Sequence, residues 1–424
     1  MSKRVSWEKA QQLDQSDPLA PFRSRFEHTE NEIYLDGNSL GKLPLQVVEK
    51  INTVVQAQWG KQLIGSWNSH WLALPKRLST KIAQLLGANS NEITVGESTS
   101  VNLYKLIHAL LASDRYPKQL ITDELNFPTD NYILEGLSSA FAIPAVRCIE
   151  YGTDLTADLD RLKNNIAKTP GIICLSLVCY KSAYRYPIKI LNAFAKAHNS
   201  IIVWDLSHAV GAIAIDFKDT QTLAAIGCTY KYLNGGPGAP AFLYVAESLQ
   251  EKLNSPIQGW FGHAKPFDFS PHYEPAKGIQ KFDAGTPPIL SLTAMEIGID
   301  LTLEAGTQAI EKKSIALGEF LIQQIETELI PLGYQLESPK KAIDRGAHIS
   351  ISHEESWRIC QCLLYPKGNE PKIIPDFRPD RYIRLGMAPL YIGYEEIWQT
   401  VQRLKTIVET KEFLAHDGDR PTVT

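Results

Sequence analysis

The chain has 424 residues, more than one small core needs and about the length of two or three domains. Its 44% hydrophobic and 21% charged residues exclude global disorder. Lys plus Arg number 43 against 47 Asp plus Glu, and the net charge of −4 excludes the broad basic field of a nucleic-acid binder.

The six cysteines are Cys148, Cys174, Cys179, Cys228, Cys360 and Cys362. Their one close pair, Cys360-x-Cys362, lacks the spacing of zinc or redox motifs, so no metal site is expected. The N-terminus shows no apolar leader, and no apolar run nears the ~20 residues of a membrane span. The expectation is a cytoplasmic protein with reduced thiols and no membrane or nucleic-acid partner.

In chain order, residues 1–45 are polar and irregular and end in Tyr34-Leu-Asp-Gly-Asn-Ser-Leu-Gly41, a turn-rich run that predicts a shaped loop. Val47, Val48, Ile51, Val54 and Val55 recur at helical spacing, as do Leu78, Ile82, Leu85 and Leu86 before Gly87. Ile93 to Val95 reads as a short strand, Val101 to Leu111 as a helix and Gln119 to Thr122 as a strand. The apolar runs Ile172 to Val178 and Ile201 to Trp204 flank a helical Leu191 to Ala197. That is a βαβ unit, hence a parallel sheet.

Ala241 to Val245 reads as a further strand, and Leu317 to Leu329 carries a long helical pattern. His348 to Ile351 reads as a strand, and Ile397, Val401, Leu404 and Ile407 mark a last helix. An α/β chain is expected, with a large domain over 46–300 and a small C-terminal domain over 301–424 against which residues 1–45 pack.

Asp205 directly follows Ile201-Ile-Val-Trp204, at the strand end where open α/β sheets bind ligands. A buried carboxylate there calls for a partner, and a protonated pyridine nitrogen is one; an Asp that only closes the next turn is an equal alternative. Thr229-Tyr-Lys231-Tyr-Leu-Asn-Gly-Gly-Pro-Gly238 places a lysine between an apolar stretch and a Gly-rich loop. Burial there would lower its pKa and suit Schiff-base chemistry, while the order Lys-then-Gly fits neither the P-loop nor the dinucleotide pattern. Gly96-Glu-Ser-Thr-Ser100 leads into a helix whose N-terminus, with the Thr99 and Ser100 hydroxyls, can cradle a phosphate or simply be capped. Phosphate cup, pyridine partner and aldehyde-reactive lysine are together the demands of pyridoxal phosphate.

Taken in order, these segments resemble kynureninase, of the fold-type-I pyridoxal phosphate superfamily, from about Asp17 to Ile407. The most specific pieces are Tyr34 to Gly41, Trp59-Gly-x-x-Leu-Ile-x-Ser-Trp-Asn68, Asn126-Phe-Pro-Thr-Asp130, Asp205-Leu-Ser-His208, Tyr230 to Gly238, Gly259-Trp-Phe-Gly-His263 and Arg384-x-x-x-Ala-Pro-Leu-Tyr391. The resemblance implies a mainly parallel central sheet flanked by helices, plus a smaller α+β C-terminal domain. It also implies a homodimer with shared active sites and an amino-acid substrate. The reaction implied is hydrolytic Cβ–Cγ cleavage of L-kynurenine, or a ring-substituted relative such as 3-hydroxykynurenine, to the anthranilate and L-alanine.

At matching positions, the resemblance implies that Lys231 holds the cofactor and, with Tyr230, moves protons. Asp205 would pair with the pyridine nitrogen, with His208 supporting that face and Phe127 stacking on the ring. Thr99, Ser100 and Tyr230 would reach the phosphate, while Asp130, Ser176, Trp260 and Thr286 match further cofactor contacts. Arg384 would clamp the substrate carboxylate, with Asn38 and Trp67 on the substrate side.

Some positions depart from the family pattern. Ala183 follows Tyr180-Lys-Ser182 where Gly is usual, Leu177 and Cys179 stand where polar residues are expected, and Gly65 stands where many bacterial members have Arg. All are expected on loops edging the substrate. Gly285-Thr286 with Trp67 resembles the bacterial, kynurenine-preferring pattern. The alternatives are another lyase or desulfurase of the superfamily, for which Cys360 and Cys362 would be the candidate thiols, and a non-catalytic cofactor-binding paralogue.

Overall fold

The structure, a computed structural model, describes residues 5–152 and 154–418. Among these, twelve strands form two sheets. β1 (Glu32–Leu35) belongs to the smaller sheet. β2 (Ile93–Val95), β3 (Leu120–Asp123), β4 (Arg147–Ile149), β5 (Ile172–Ser176), β6 (Ile201–Asp205), β7 (Ala224–Gly227) and β8 (Phe242–Val245) build the larger one. β9 (Gln335–Leu336), β10 (His348–Ser352), β11 (Lys372–Arg378) and β12 (Tyr382–Gly386) complete the smaller.

The large sheet runs β2-β8-β7-β6-β5-β3-β4, with β4, β3, β5, β6 and β7 parallel and β8 antiparallel to its neighbours. Every residue of β5 and β6 is buried, which is why both read as continuous apolar runs: cores lie on both faces of the sheet. The helix Ile188–Ala197 joins β5 to β6 and keeps Leu191 and Ala195 inward.

The small sheet runs β1-β11-β12-β10-β9. β1 pairs in parallel with β11, so residues from the start of the chain complete a sheet formed at its end. Phe26, Ile33 and Leu35 share one core with Ile349, Ile383, Leu385 and Ile397. Residue 300 falls inside the continuous helix Ile289–Ala305: its Leu292, Met295 and Ile299 join the large-sheet core, and its Leu301 the small-sheet core.

Two helical patterns end differently from their periodicity. The helix Gln46–Thr53 widens into π-turns over Val54–Gln62, followed by short irregular turns to Trp71, so the Trp59–Asn68 motif lies on no regular helix. The helix Thr307–Gln324 likewise gives way to a π-turn at Ile325–Leu329.

Candidate active site

Parallel strands deliver their C-terminal ends to one edge of the sheet. β5 and β6 pair in register from Ile172↔Ile201 to Ser176↔Asp205, which sets Ser176 and Asp205 side by side at that edge. Beyond β3 come Asn126, Phe127 and Asp130; beyond β7 come Cys228 to Lys231. Asn126 Oδ1 accepts from Ser176 N (2.7 Å) and Oγ (2.6 Å), tying two of these ends together.

Asp205 Oδ1 accepts from Ser207 N (2.9 Å) and Oγ (2.6 Å), the turn-closing role, while among the described residues no hydrogen-bond donor reaches its other oxygen. The turn-closing role therefore occupies only one of the two carboxyl oxygens. Burial raises its pKa, against the pull of Ser207 and the Lys231 charge. The Lys231 amine lies 3.1 Å from His208 Nε2, 6.0 Å from the Phe127 ring centre and 5.9 Å from that of Tyr230. Burial pulls the lysine pKa down; burial and the lysine cation hold His208 neutral.

Asp130 is buried, its Oδ2 has no partner, and burial together with Asp205 pushes its pKa well up. An amine below its ordinary pKa, a carboxylate oxygen left open, an orphaned acid and a 38% exposed Phe127 ring fit a bound pyridoxal group. Ser98, not Thr99, caps the helix Thr99–Ala112, its hydroxyl accepting from Val101 N (3.2 Å). This leaves the Thr99 and Ser100 N–H groups to an outside anion.

The 34–41 loop reaches this edge because Gly41 N donates to the Tyr230 carbonyl (2.7 Å). Only glycine allows that approach, since a Cβ on residue 41 would stand 2.3 Å from the Lys231 carbonyl. The loop also carries Asn38, wholly buried with neither amide atom hydrogen-bonded. Arg384 is buried beside it: Nε donates to Asp376, Nη1 to the Tyr180 carbonyl and Nη2 to Ser39 Oγ (3.2 Å).

Trp67, Trp260 and Thr286 form a separate group. Trp67 packs on Trp71 and Phe261, Trp260 on Phe261, Phe267 and Phe269, and Thr286 is exposed. Among the described residues, no hydrogen bond or ring contact joins them, or Thr99 and Ser100, to the Lys231 group.

Sequence reading missed Asp376, Arg378, Asp36, His348 and Tyr180, all around Arg384 or His208. Asp376 and Arg378 had one signal, two charges at strand alternation after the apolar Ile373-Ile-Pro375. His348 had none; it is wholly buried, 5.8 Å ring to ring from His208.

The departures are corrected in place. Leu177, Cys179, Ala183 and Tyr184 are buried in the large-sheet core and do not edge the cleft. Of that loop it is Tyr180 that faces inward, its ring 5.4 Å from Phe127. Ala183 has φ +63°, the left-handed backbone that favours glycine. A Cβ on Gly65 would meet nothing within 4 Å, so that exposed position is open space. Cys360 and Cys362 are buried in the small-sheet core.

The aminotransferase class-V family model matches residues 33–356, and the kynureninase C-terminal domain matches residues 310–404. The kynureninase of Pseudomonas fluorescens is 37% identical over 404 residues, 94% of each chain. That of Burkholderia pseudomallei is 35% identical over 424 residues, 98% of this chain and 99% of the relative. Among solved structures, apo cysteine desulfurase from Thermococcus onnurineus NA1 aligns with a TM-score of 0.76 at 16% identity, covering 97% of this chain and 100% of that one. A C-DES mutant with glycine covalently linked to its PLP cofactor aligns at 0.78 and 18%, covering 90% and 98%. These two show the fold alone, that of fold-type-I pyridoxal phosphate enzymes. With near-complete coverage by such relatives and both family regions in order, the chain belongs to the kynureninase family.

Proposed function

We propose that the protein is a pyridoxal phosphate-dependent hydrolase that cleaves the Cβ–Cγ bond of L-kynurenine, or of a ring-substituted kynurenine, to anthranilate and L-alanine. The observation that carries the reading is the Lys231 amine set against His208 and Asp205 on one sheet edge, with Arg384 brought to the same cleft by the small sheet. The cofactor supplies an electron sink for the substrate carbon beside its amine. Lys231 holds it, and Asp205 and His208 seat its polar edge. Phe127 covers the ring, with Asp130 and Ser176 on its flanks. Thr99, Ser100 and Tyr230 take the phosphate, and Arg384 takes the substrate carboxylate beside Asn38.

Proton transfer falls to Lys231 and Tyr230. Burial lowers the lysine pKa, so its amine can accept a proton, and raises that of the tyrosine, so its hydroxyl stays protonated to donate one. The two thiols named for a desulfurase are out of reach: Cys360 and Cys362 are 1% and 0% exposed, and burial pushes both up.

The active assembly in this reading is a homodimer. Support comes from an apolar groove lined by Trp59, Leu63, Ile64, Trp71 and Leu290, with Trp59 57% and Ile64 80% exposed. Trp67, Trp260 and Thr286 then serve the neighbouring subunit's site. Six cysteines without a disulfide support a cytoplasmic setting.

The test is release of anthranilate fluorescence from L-kynurenine by protein loaded with the cofactor, with 3-hydroxykynurenine in parallel. Loaded protein that releases no anthranilate from either would overturn the reading.

A further inference from the structure

We propose that Arg378 is a second substrate-binding residue: the accessible guanidinium of a two-arginine carboxylate site in which Arg384 is the buried anchor. The proposal rests on the reading that this site takes the substrate carboxylate.

Strand alternation puts Asp376 and Arg378 on one face of β11, and the register pairs Asp376↔Arg384 and Arg378↔Tyr382 across to β12. Three charged side chains therefore share one face of a hairpin. Their roles differ. The Arg384 side chain is 1% exposed, and each of its three nitrogens already donates within the chain, to Asp376, the Tyr180 carbonyl and Ser39.

Arg378 is 34% exposed at its side chain. It shares Asp376 (Nε, 3.0 Å) and Ser39 (Nη2, a long 3.4 Å) with Arg384, and its Nη1 has no hydrogen-bond acceptor among the described residues. Its charge is felt in the cleft, where it helps depress the pKa values of Lys231, His208 and His348.

The charge count agrees. Asp376 neutralises one guanidinium. Asp36, its carboxyl pushed up to about 7 by burial and by Asp376, offsets only part of the other. The cluster therefore keeps a net positive charge that attracts a carboxylate, and a guanidinium edge with unused N–H groups is the shape that binds it through paired hydrogen bonds.

The experiment titrates the cofactor-loaded protein with L-alanine, which carries the amine and carboxylate but no aryl ketone, and reads the cofactor absorbance. Arg378→Gln is expected to raise the alanine Kd and the kynurenine KM by about tenfold or more, with a smaller change in kcat. Arg378→Lys is expected to recover part of the loss, since it keeps the charge but not the fork. A residue that only props the hairpin would lower the melting temperature and leave the Kd of the folded fraction unchanged.

An alanine Kd within twofold of the parent in Arg378→Gln, while Arg384→Lys weakens it, overturns this proposal and leaves the carboxylate reading standing. If both variants keep the parent Kd, the carboxylate reading falls as well. Should Arg378→Gln fail to fold, Arg378→Lys decides: an unchanged Kd overturns the proposal.

Discussion

The cleft around Lys231 and the aromatic face around Trp59 and Trp260 are built in opposite ways. In the cleft, Asp205, His208 and Arg384 are 5%, 5% and 1% exposed, held at strand ends by contacts to Ser207, Lys231 and Asp376. On the face, Trp59, Ile64 and Phe269 are 57%, 80% and 77% exposed; Trp59 and Ile64 line an open apolar groove, and Phe269 stacks on Trp260. The first is completed by the core of a single chain. The second has the character of a surface that another surface must cover. Chemistry is thus placed by sheet geometry, while the exposed face is left for the proposed homodimer to cover.

The sharpest way to break that contrast is Lys231→Ala. It is expected to abolish the cofactor's lysine-bound absorbance and to cut anthranilate release by at least about 10³-fold, without changing the mass in sedimentation. A variant that loses the dimer as well would mean that the cleft and the face are not independent.

The next largest effect is on the face. Trp59→Asp combined with Ile64→Asp buries two unpaired charges at the apolar groove and is expected to halve the sedimenting mass, with helix content retained. Activity should fall with it, because in the proposed homodimer Trp260 and Thr286 serve the neighbouring site. A dimer of unchanged mass would place the subunit contact elsewhere.

A smaller effect tests the core behind the cleft. Asp123 is buried against Tyr186, and burial pushes its carboxyl up to about 6, above the unfolded value of ~3.9. The folded chain therefore holds that proton more tightly. Its stabilising contribution is complete below pH ~4 and is lost as pH rises through about 6. Asp123→Asn should melt later than the parent at pH 8, by roughly 1–2 kcal/mol of stability, and show no gain at acid pH. Equal melting at pH 8 would show that the acid is better compensated than its burial implies.

The smallest effect is at Ala183, whose φ of +63° costs an alanine about 1 kcal/mol relative to glycine. Ala183→Gly should raise the melting temperature by about 1–2 °C and leave kynurenine turnover alone, since the residue is buried away from the cleft. A change in KM would return that loop to the substrate's edge.

Local signals carried much of this. Period and β-branched runs mark β5, β6 and the helix between them, and a carboxylate after such a run marks a ligand edge wherever it occurs. Lys231 beside a Gly-rich loop is legible for the same reason: burial and close backbone approach are encoded in its immediate neighbours. Asp36 had no such signal and Asp376 and Arg378 only their alternation, because nothing near them in the chain says that the three meet.

By itself, then, the sequence determined the parallel sheet, the identity of the lysine and aspartate at its edge, and the family. The tertiary structure decided that β1 pairs with β11, so that Asp36 and Ser39 lie against Asp376, Arg378 and Arg384. It also decided that Asn38 fits only because residue 386 is glycine, where a Cβ would stand 1.8 Å from the Asn38 carbonyl oxygen. The physical reason is range. Periodicity and turn chemistry act between neighbours, whereas a charge cluster drawn from both ends of a chain exists only once two sheets have packed.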